Sequence, residues 1–215
     1  MTAMKSVYLF LLIIIVSACG AVIQNDAEKT SHHTEVSLSA TDSLLLLFKD
    51  HPEFWSDGFD FPVGKPDAKG YYNAQAFRKN DHLGDDWNGR GGGNTDLGDT
   101  IFAISNGYVT EAFQFYGGWG KVMRIASCYK NQSDSKMVES LYAHMTEMFF
   151  KKGQWVKKGQ PIGTIGTAEG IYLAHLHHEI RNEPGRDLGA GYSSDTSGYL
   201  NPTQFIKSHR HLPNS

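Results

Sequence analysis

The chain has 215 residues, a formal charge of -3, and 40% hydrophobic, 12% aromatic and 20% charged residues. This composition suits one soluble globular domain with appendages, long enough to bury a core. Lys and Arg number 20 against 23 Asp and Glu, so there is no basic excess from which a nucleic-acid footprint of phosphate contacts could be built. Two cysteines, Cys19 and Cys128, exclude a multi-disulfide framework and a four-thiolate zinc site, leaving ten histidines and 23 glycines as the features to follow.

Residues 1–20, MTAMKSVYLFLLIIIVSACG, carry Lys5, an unbroken apolar run over 7–16 and then small residues. The run is well short of the roughly 20 residues that cross a bilayer as a helix, so it reads as the core of an export signal. Val16-Ser17-Ala18-Cys19 resembles the bacterial lipobox. That resemblance implies a lipoprotein signal over 1–18, cleavage before Cys19, lipidation of Cys19 and a membrane anchor through it. The plain alternative is an ordinary signal in which Cys19 is incidental. Residues 19–55 then form the lipidated N-terminus, a polar tether containing His32 and His33, and a short helix. Thr41 or Asp42 is expected to cap that helix, which would run through Ser43, the four leucines and Phe48. Lipidation leaves Cys128 unpaired, as a small buried apolar residue.

Beyond Phe54 the texture changes to short β-rich runs punctuated by glycine, at 101–104, 107–115, 121–126, 137–145, 155–156, 161–165 and 173–181. Strands at this spacing, with turn signals between them, predict an antiparallel all-β domain over residues 56–208, followed by a tail at 209–215. Lys151-Lys152-Gly153-Gln154 recurs as Lys157-Lys158-Gly159-Gln160, which reads as two turns flanking a strand through Trp155 and Val156.

Three clusters carry chemistry: His82-Leu83-Gly84-Asp85-Asp86, Tyr142-Ala143-His144 and His175-Leu176-His177-His178-Glu179. Each alone is weak, because an isolated His is usually a satisfied polar residue. Together they supply imidazoles and carboxylates, and a catalytic zinc site uses three protein ligands with a fourth position left open. His82, Asp86 and one His of the third cluster furnish such a set. In an extended strand His175, His177 and Glu179 share one face and His178 takes the other, so one imidazole can bind a metal while a second stands beside the substrate.

These residues resemble a known family. His82-Leu83-Gly84-Asp85-Asp86 is similar to the H-x-G-x-D motif, Tyr142-Ala143-His144-Met145 to the third-histidine segment, and His175-Leu176-His177 to the H-x-H motif of the lysostaphin-type zinc endopeptidases, peptidase family M23 or LytM domains. Gly107-Tyr108-Val109, the hairpin at 156–166 and Asn201-Pro202 extend the likeness over about 70–206. The resemblance implies an antiparallel sheet with a groove over it, zinc held by His82, Asp86 and His177, and His144 and His175 as catalytic histidines. It also implies hydrolysis of peptide bonds in peptidoglycan stem peptides or cross-links. The implied location is the bacterial cell envelope, on the outer membrane or the periplasmic face if there are two membranes, with a regulatory envelope protein as a further partner. The alternative is a non-catalytic module of the same fold that binds peptidoglycan and activates another wall hydrolase. Intact residues at all five site positions favour the enzyme. A lipoyl or biotinyl carrier lacks a suitably placed lysine, and no phosphate-loop lysine follows the glycines at 89 and 91–93.

The sequence departs from simple members at 84–99, 128–139 and 183–199, and such inserts around a β scaffold set what fits the groove. Asp85 is expected to be a surface or supporting group, His178 to pack behind the sheet or reach solvent, and Asp96 and Asp99 to be turn residues. Trp87, Tyr116, Trp119 and Trp155 are expected in the core more than along a groove.

Overall fold

The computed structural model describes residues 38–212. The expected export signal, Cys19, His32 and His33 of the expected tether, and residues 213–215 lie outside the described residues. No helix among the described residues is long and apolar enough to cross a membrane.

The first element is a helix, α1 (Ala40–Lys49), capped by Ser39, whose hydroxyl accepts from the Asp42 amide at 3.0 Å. The expected caps, Thr41 and Asp42, instead lie inside the first turn, where Asp42 complements the helix dipole. Phe48 is fully buried against Ala126, Cys128 and Met137, which contributes about 2–3 kcal/mol of docking energy.

The remainder is a ten-stranded antiparallel sheet. Its strands are β1 (Tyr71–Gln75), β2 (Asp85–Gly89), β3 (Thr100–Phe102), β4 (Gly107–Phe115), β5 (Gly120–Asn131), β6 (Asp134–Met148), β7 (Trp155–Val156), β8 (Pro161–Ile165), β9 (Leu176–Arg181) and β10 (Tyr199–Leu200). The main path runs β1-β2-β9-β6-β5-β4-β7, with β10 on β9 and β3 on β8, which also pairs with β6. The predicted strands at 107–115, 155–156 and 161–165 match β4, β7 and β8. The repeated Lys-Lys-Gly-Gln units make equivalent turns, in which the amides of Lys151 and Lys157 donate to the side chains of Gln154 and Gln160.

Side chains from both faces of the central strands are buried. Met123, Ile125 and Tyr142 point into the main core with Ile101, Ile162, Leu176 and Ile180, whereas Val122, Leu141 and Ala143 pack with Phe113, Trp119 and Leu188. The Arg124–Glu139 ion pair is buried beside this second layer, its Nε donating at 2.7 Å. The stretch at 128–139 is no loop insert. It is the end of a hairpin in which Cys128 opposes Met137 and Asn131 opposes Asp134. A second helix, α2 (Pro202–Ser208), follows β10, capped by Asn201 with proline at its start.

Candidate functional site

The site is built where β2, β9 and β6 run side by side. Asp86 on β2 is directly opposite His177 on β9, and His177 is opposite Ala143 on β6. His82 precedes β2 and reaches the same point. The Nε2 of His82 lies 3.0 Å from the Nδ1 of His177 and 3.3 Å from Asp86 Oδ1, and Asp86 Oδ1 lies 3.0 Å from His177 Nδ1. Gly84 permits this approach. A Cβ there would stand 2.6 Å from the His178 carbonyl oxygen and 3.0 Å from both the Glu179 Cγ and the His177 ring.

The three donors are buried, with His82 at 0%, His177 at 4% and Asp86 at 9% exposure. They form the one His/Cys/Asp/Glu group among the described residues that could hold a metal ion. Their spacing fits the task, because zinc bonds of 2.0–2.1 Å in tetrahedral geometry place donors about 3.3 Å apart. Burial opposes a charge on His177, yet the carboxylates of Asp86 and Glu179 outweigh it and raise its pKa to about 9. Burial would likewise raise Asp86, but His177 and His82 hold it well below the usual carboxylate range. A potential that draws a proton onto a nitrogen facing a carboxylate also draws a dication into that place.

The outer nitrogen of His177 is anchored, since Nε2 donates to Glu179 Oε1 at 3.0 Å. The outer nitrogen of His82, Nδ1, is buried without a partner. Asp85 is fully buried, not on the surface. It accepts from the Phe77 amide at 3.0 Å and from the Thr203 hydroxyl at 2.6 Å, so it ties the start of α2 to the strand that presents Asp86.

His144 and His175 stand beside this group. Simple alternation along β6 would turn His144 away from the face that Ala143 shares with His177. A left-handed backbone at His144, φ 61°, breaks the alternation and swings the ring back. Its centroid lies 4.7 Å from that of His175 and 5.6 Å from that of His177. His144 Nδ1 is 3.2 Å from the Trp119 carbonyl and His175 Nδ1 is 2.8 Å from the Leu173 carbonyl. A carbonyl only accepts, so each Nδ1 carries the proton and each Nε2 presents a lone pair. Burial, reinforced by His177 and His175, pushes the His144 pKa down to about 3, which keeps the ring neutral at pH 7.

The five residues predicted from sequence therefore come together, and four of them (Asp86, His144, His175 and His177) line a cleft of about 480 Å³. Gln75, Gly118, Trp119, Tyr172, Ala190, Gly191 and Tyr192 complete it. Trp119 is thus a cleft residue, against the expectation of a core position, and Tyr116 is 84% exposed. Trp87 is core, while Trp155 packs on Phe48 and Phe54. His178 packs behind the sheet against Tyr142. Asp96 accepts from the Gly89 amide and Asp99 from the Tyr71 hydroxyl. Glu179 and Arg181 were given no role from sequence, although the alternation in His177-His178-Glu179-Ile180-Arg181 places both on the His177 face. A larger cavity of about 1040 Å³ lies against β1 and α2 and contains none of the five residues.

The profile of peptidase family M23 matches residues 91–189, which include His144, His175 and His177 and begin after His82 and Asp86. Lipoprotein NlpD of Yersinia enterocolitica is 37% identical over 84 residues, 39% of this chain and 78% of that protein. Lysostaphin of Staphylococcus simulans matches in structure with a TM-score of 0.47 and 25% identity, over 65% of this chain and 50% of that one. The chain thus spans half the length of that lysostaphin. The SpoIIQ–SpoIIIAH pore forming complex matches with a TM-score of 0.50 at 18% identity, over 73% of this chain and 94% of that one. With its antiparallel fold and the motif residues gathered at one cleft, the chain belongs to peptidase family M23.

Proposed function

We propose that the protein is a zinc-dependent endopeptidase that hydrolyses peptide bonds in peptidoglycan stem peptides or cross-links, held at the cell envelope through lipidated Cys19. The observation that carries the reading is the set of three buried donors 3.0–3.3 Å apart with two imidazoles beside it whose Nε2 atoms are free of hydrogen. His82 Nε2, Asp86 Oδ1 and His177 Nδ1 would hold the ion. Bound zinc supplies a Lewis acid that lowers the pKa of water towards about 7 and polarises a carbonyl.

The chain's own residues supply the rest. The peptide lies in the cleft that Trp119, Tyr172 and Tyr192 line. His144, neutral and with Nε2 bare, accepts the proton of the attacking water and returns it to the departing amine. His175, its side chain 14% exposed, turns its bare Nε2 to the same cleft and accepts a hydrogen bond from the attacking water, orienting it. Burial of the cleft floor excludes bulk water and strengthens each of these interactions. Residence at the envelope is supported by the likeness to Lipoprotein NlpD.

The test is incubation of the soluble fragment from Gly20 onward with purified peptidoglycan, with and without a zinc chelator, followed by mass analysis of released fragments. New amine ends that vanish with chelator and return with zinc establish the endopeptidase and name the bond. Binding to the wall by folded, zinc-loaded protein without cleavage would replace the enzyme with the non-catalytic module.

A further inference from the structure

Behind His177 runs a buried chain of charged groups that the hydrolytic chemistry does not itself use. Glu179 and Arg181 are both fully buried. Glu179 Oε1 accepts from His177 Nε2 at 3.0 Å, and its Oε2 accepts from Arg181 Nε at 2.9 Å and Nη2 at 2.7 Å. The guanidinium continues outward, donating to the carbonyls of Asp187 at 3.1 Å and Leu188 at 2.8 Å.

Those carbonyls open the segment that becomes the cleft wall. Gly189 accepts from the Trp119 indole at 3.1 Å, Gly191 accepts from the Leu83 amide at 3.0 Å, and the Ser193 amide donates to Asp81 at 2.8 Å. Each anchor is a group that touches a metal-site histidine or sits next to one in the chain. Trp119 has its ring against His177, and Leu83 and Asp81 flank His82.

Two opposed charges buried away from solvent are costly, and an apolar pair of similar volume commonly stabilises a fold as well or better. Their geometry points to orientation. A carboxylate at Nε2 requires that nitrogen to carry the proton, so Nδ1 is left to face His82 and Asp86.

We propose that Glu179 and Arg181 are a positioning pair that fixes His177 in its metal-binding tautomer and couples the metal site to the segment 186–192, whose last three residues form the cleft wall. The proposal rests on the metal-site reading above. It makes metal occupancy and wall order two readouts of one linkage: the metal tightens the hold of His177 on Glu179, Glu179 holds Arg181, and Arg181 holds the wall.

The experiment compares wild type with Glu179→Gln, Arg181→Lys and the double variant Glu179→Gln/Arg181→Met, which leaves no unpaired buried charge and so keeps folding separate from positioning. Zinc affinity is measured by competition with a chelating dye, coordination by the visible spectrum of the cobalt-substituted protein, and wall order by limited proteolysis within 186–192 with and without zinc. The expected result is a 10–100-fold loss of zinc affinity in the double variant, an altered cobalt spectrum, and loss of the protection that zinc gives the wall in wild type. A double variant that melts like wild type, binds zinc within twofold and shows the same cobalt spectrum would overturn the pairing and leave the endopeptidase standing. Wild type that takes up neither metal would overturn the metal site itself, and the pairing with it.

Discussion

Gly84→Ala isolates the contact that lets β2 and β9 bring their ligands together. The alanine Cβ would lie 2.6 Å from the His178 carbonyl oxygen, and the strands must separate by about 0.8 Å there to reach the ordinary contact distance of 3.4 Å. The groups in the way are backbone of β9 and the side chains of Glu179 and His177, none of which can swing aside into solvent. Overpacking of this kind costs about 1–3 kcal/mol, and at about 2–4 °C per kcal/mol for a domain of this size the melting temperature falls by about 2–12 °C. Because the strain moves His177 away from Asp86, zinc affinity falls at least tenfold as well. The control is Gly92→Ala, where the backbone is left-handed, φ +73°, and no atom stands within 4 Å of the added carbon. That change costs about 1 kcal/mol of backbone strain and leaves zinc affinity unchanged. Calorimetry and zinc titration on both variants decide the matter; a Gly84→Ala protein with wild-type stability and affinity would refute the steric account.

Three other outcomes follow from the same geometry. His177→Ala loses both metal and activity, whereas His144→Ala retains most of its zinc by elemental analysis and loses about 10²–10⁴-fold in turnover. In metal-free protein the raised His177 pKa, about 9, contributes stability that is fully present below about pH 6.5 and lost as pH rises through 9. Because zinc must displace that proton, its apparent affinity climbs about tenfold per pH unit towards pH 9 and then levels, as titration across pH 6–10 will record. Cys128 is buried with its thiol pKa pushed up to about 11, so alkylation at pH 8 proceeds only in denaturant.

What could be read from the sequence was residue chemistry at fixed spacing. The histidine and carboxylate clusters announce a metal site, and alternation in β9 separates His177 from His178. Orientation set by the backbone was out of reach. The parity of Ala143 and His144 gives the wrong face for the imidazole until the left-handed residue on β6 is known. Strand β2 was hidden because Asp85-Asp86-Trp87-Asn88-Gly89 is poor in β-formers, and its pairing with β1 and β9 outweighs local preference. The hairpin end at 128–139 looked like an insert because polar residues face one another across it. Trp119 looked like core because an indole in a small β domain usually is; here a carbonyl and an aromatic ring are both turned to histidines of the site. The segment over α2 carried usable signals in Asn201 and Pro202, which the short following run obscured.

The central claim is that His82, Asp86 and His177 hold one zinc ion beside His144 and His175. Anomalous diffraction at the zinc edge from crystals grown with zinc tests it most directly. The account predicts a single strong peak in contact with His82 Nε2, Asp86 Oδ1 and His177 Nδ1, absent from His177→Ala crystals. A peak at other residues, or none in folded wild-type protein, would contradict it.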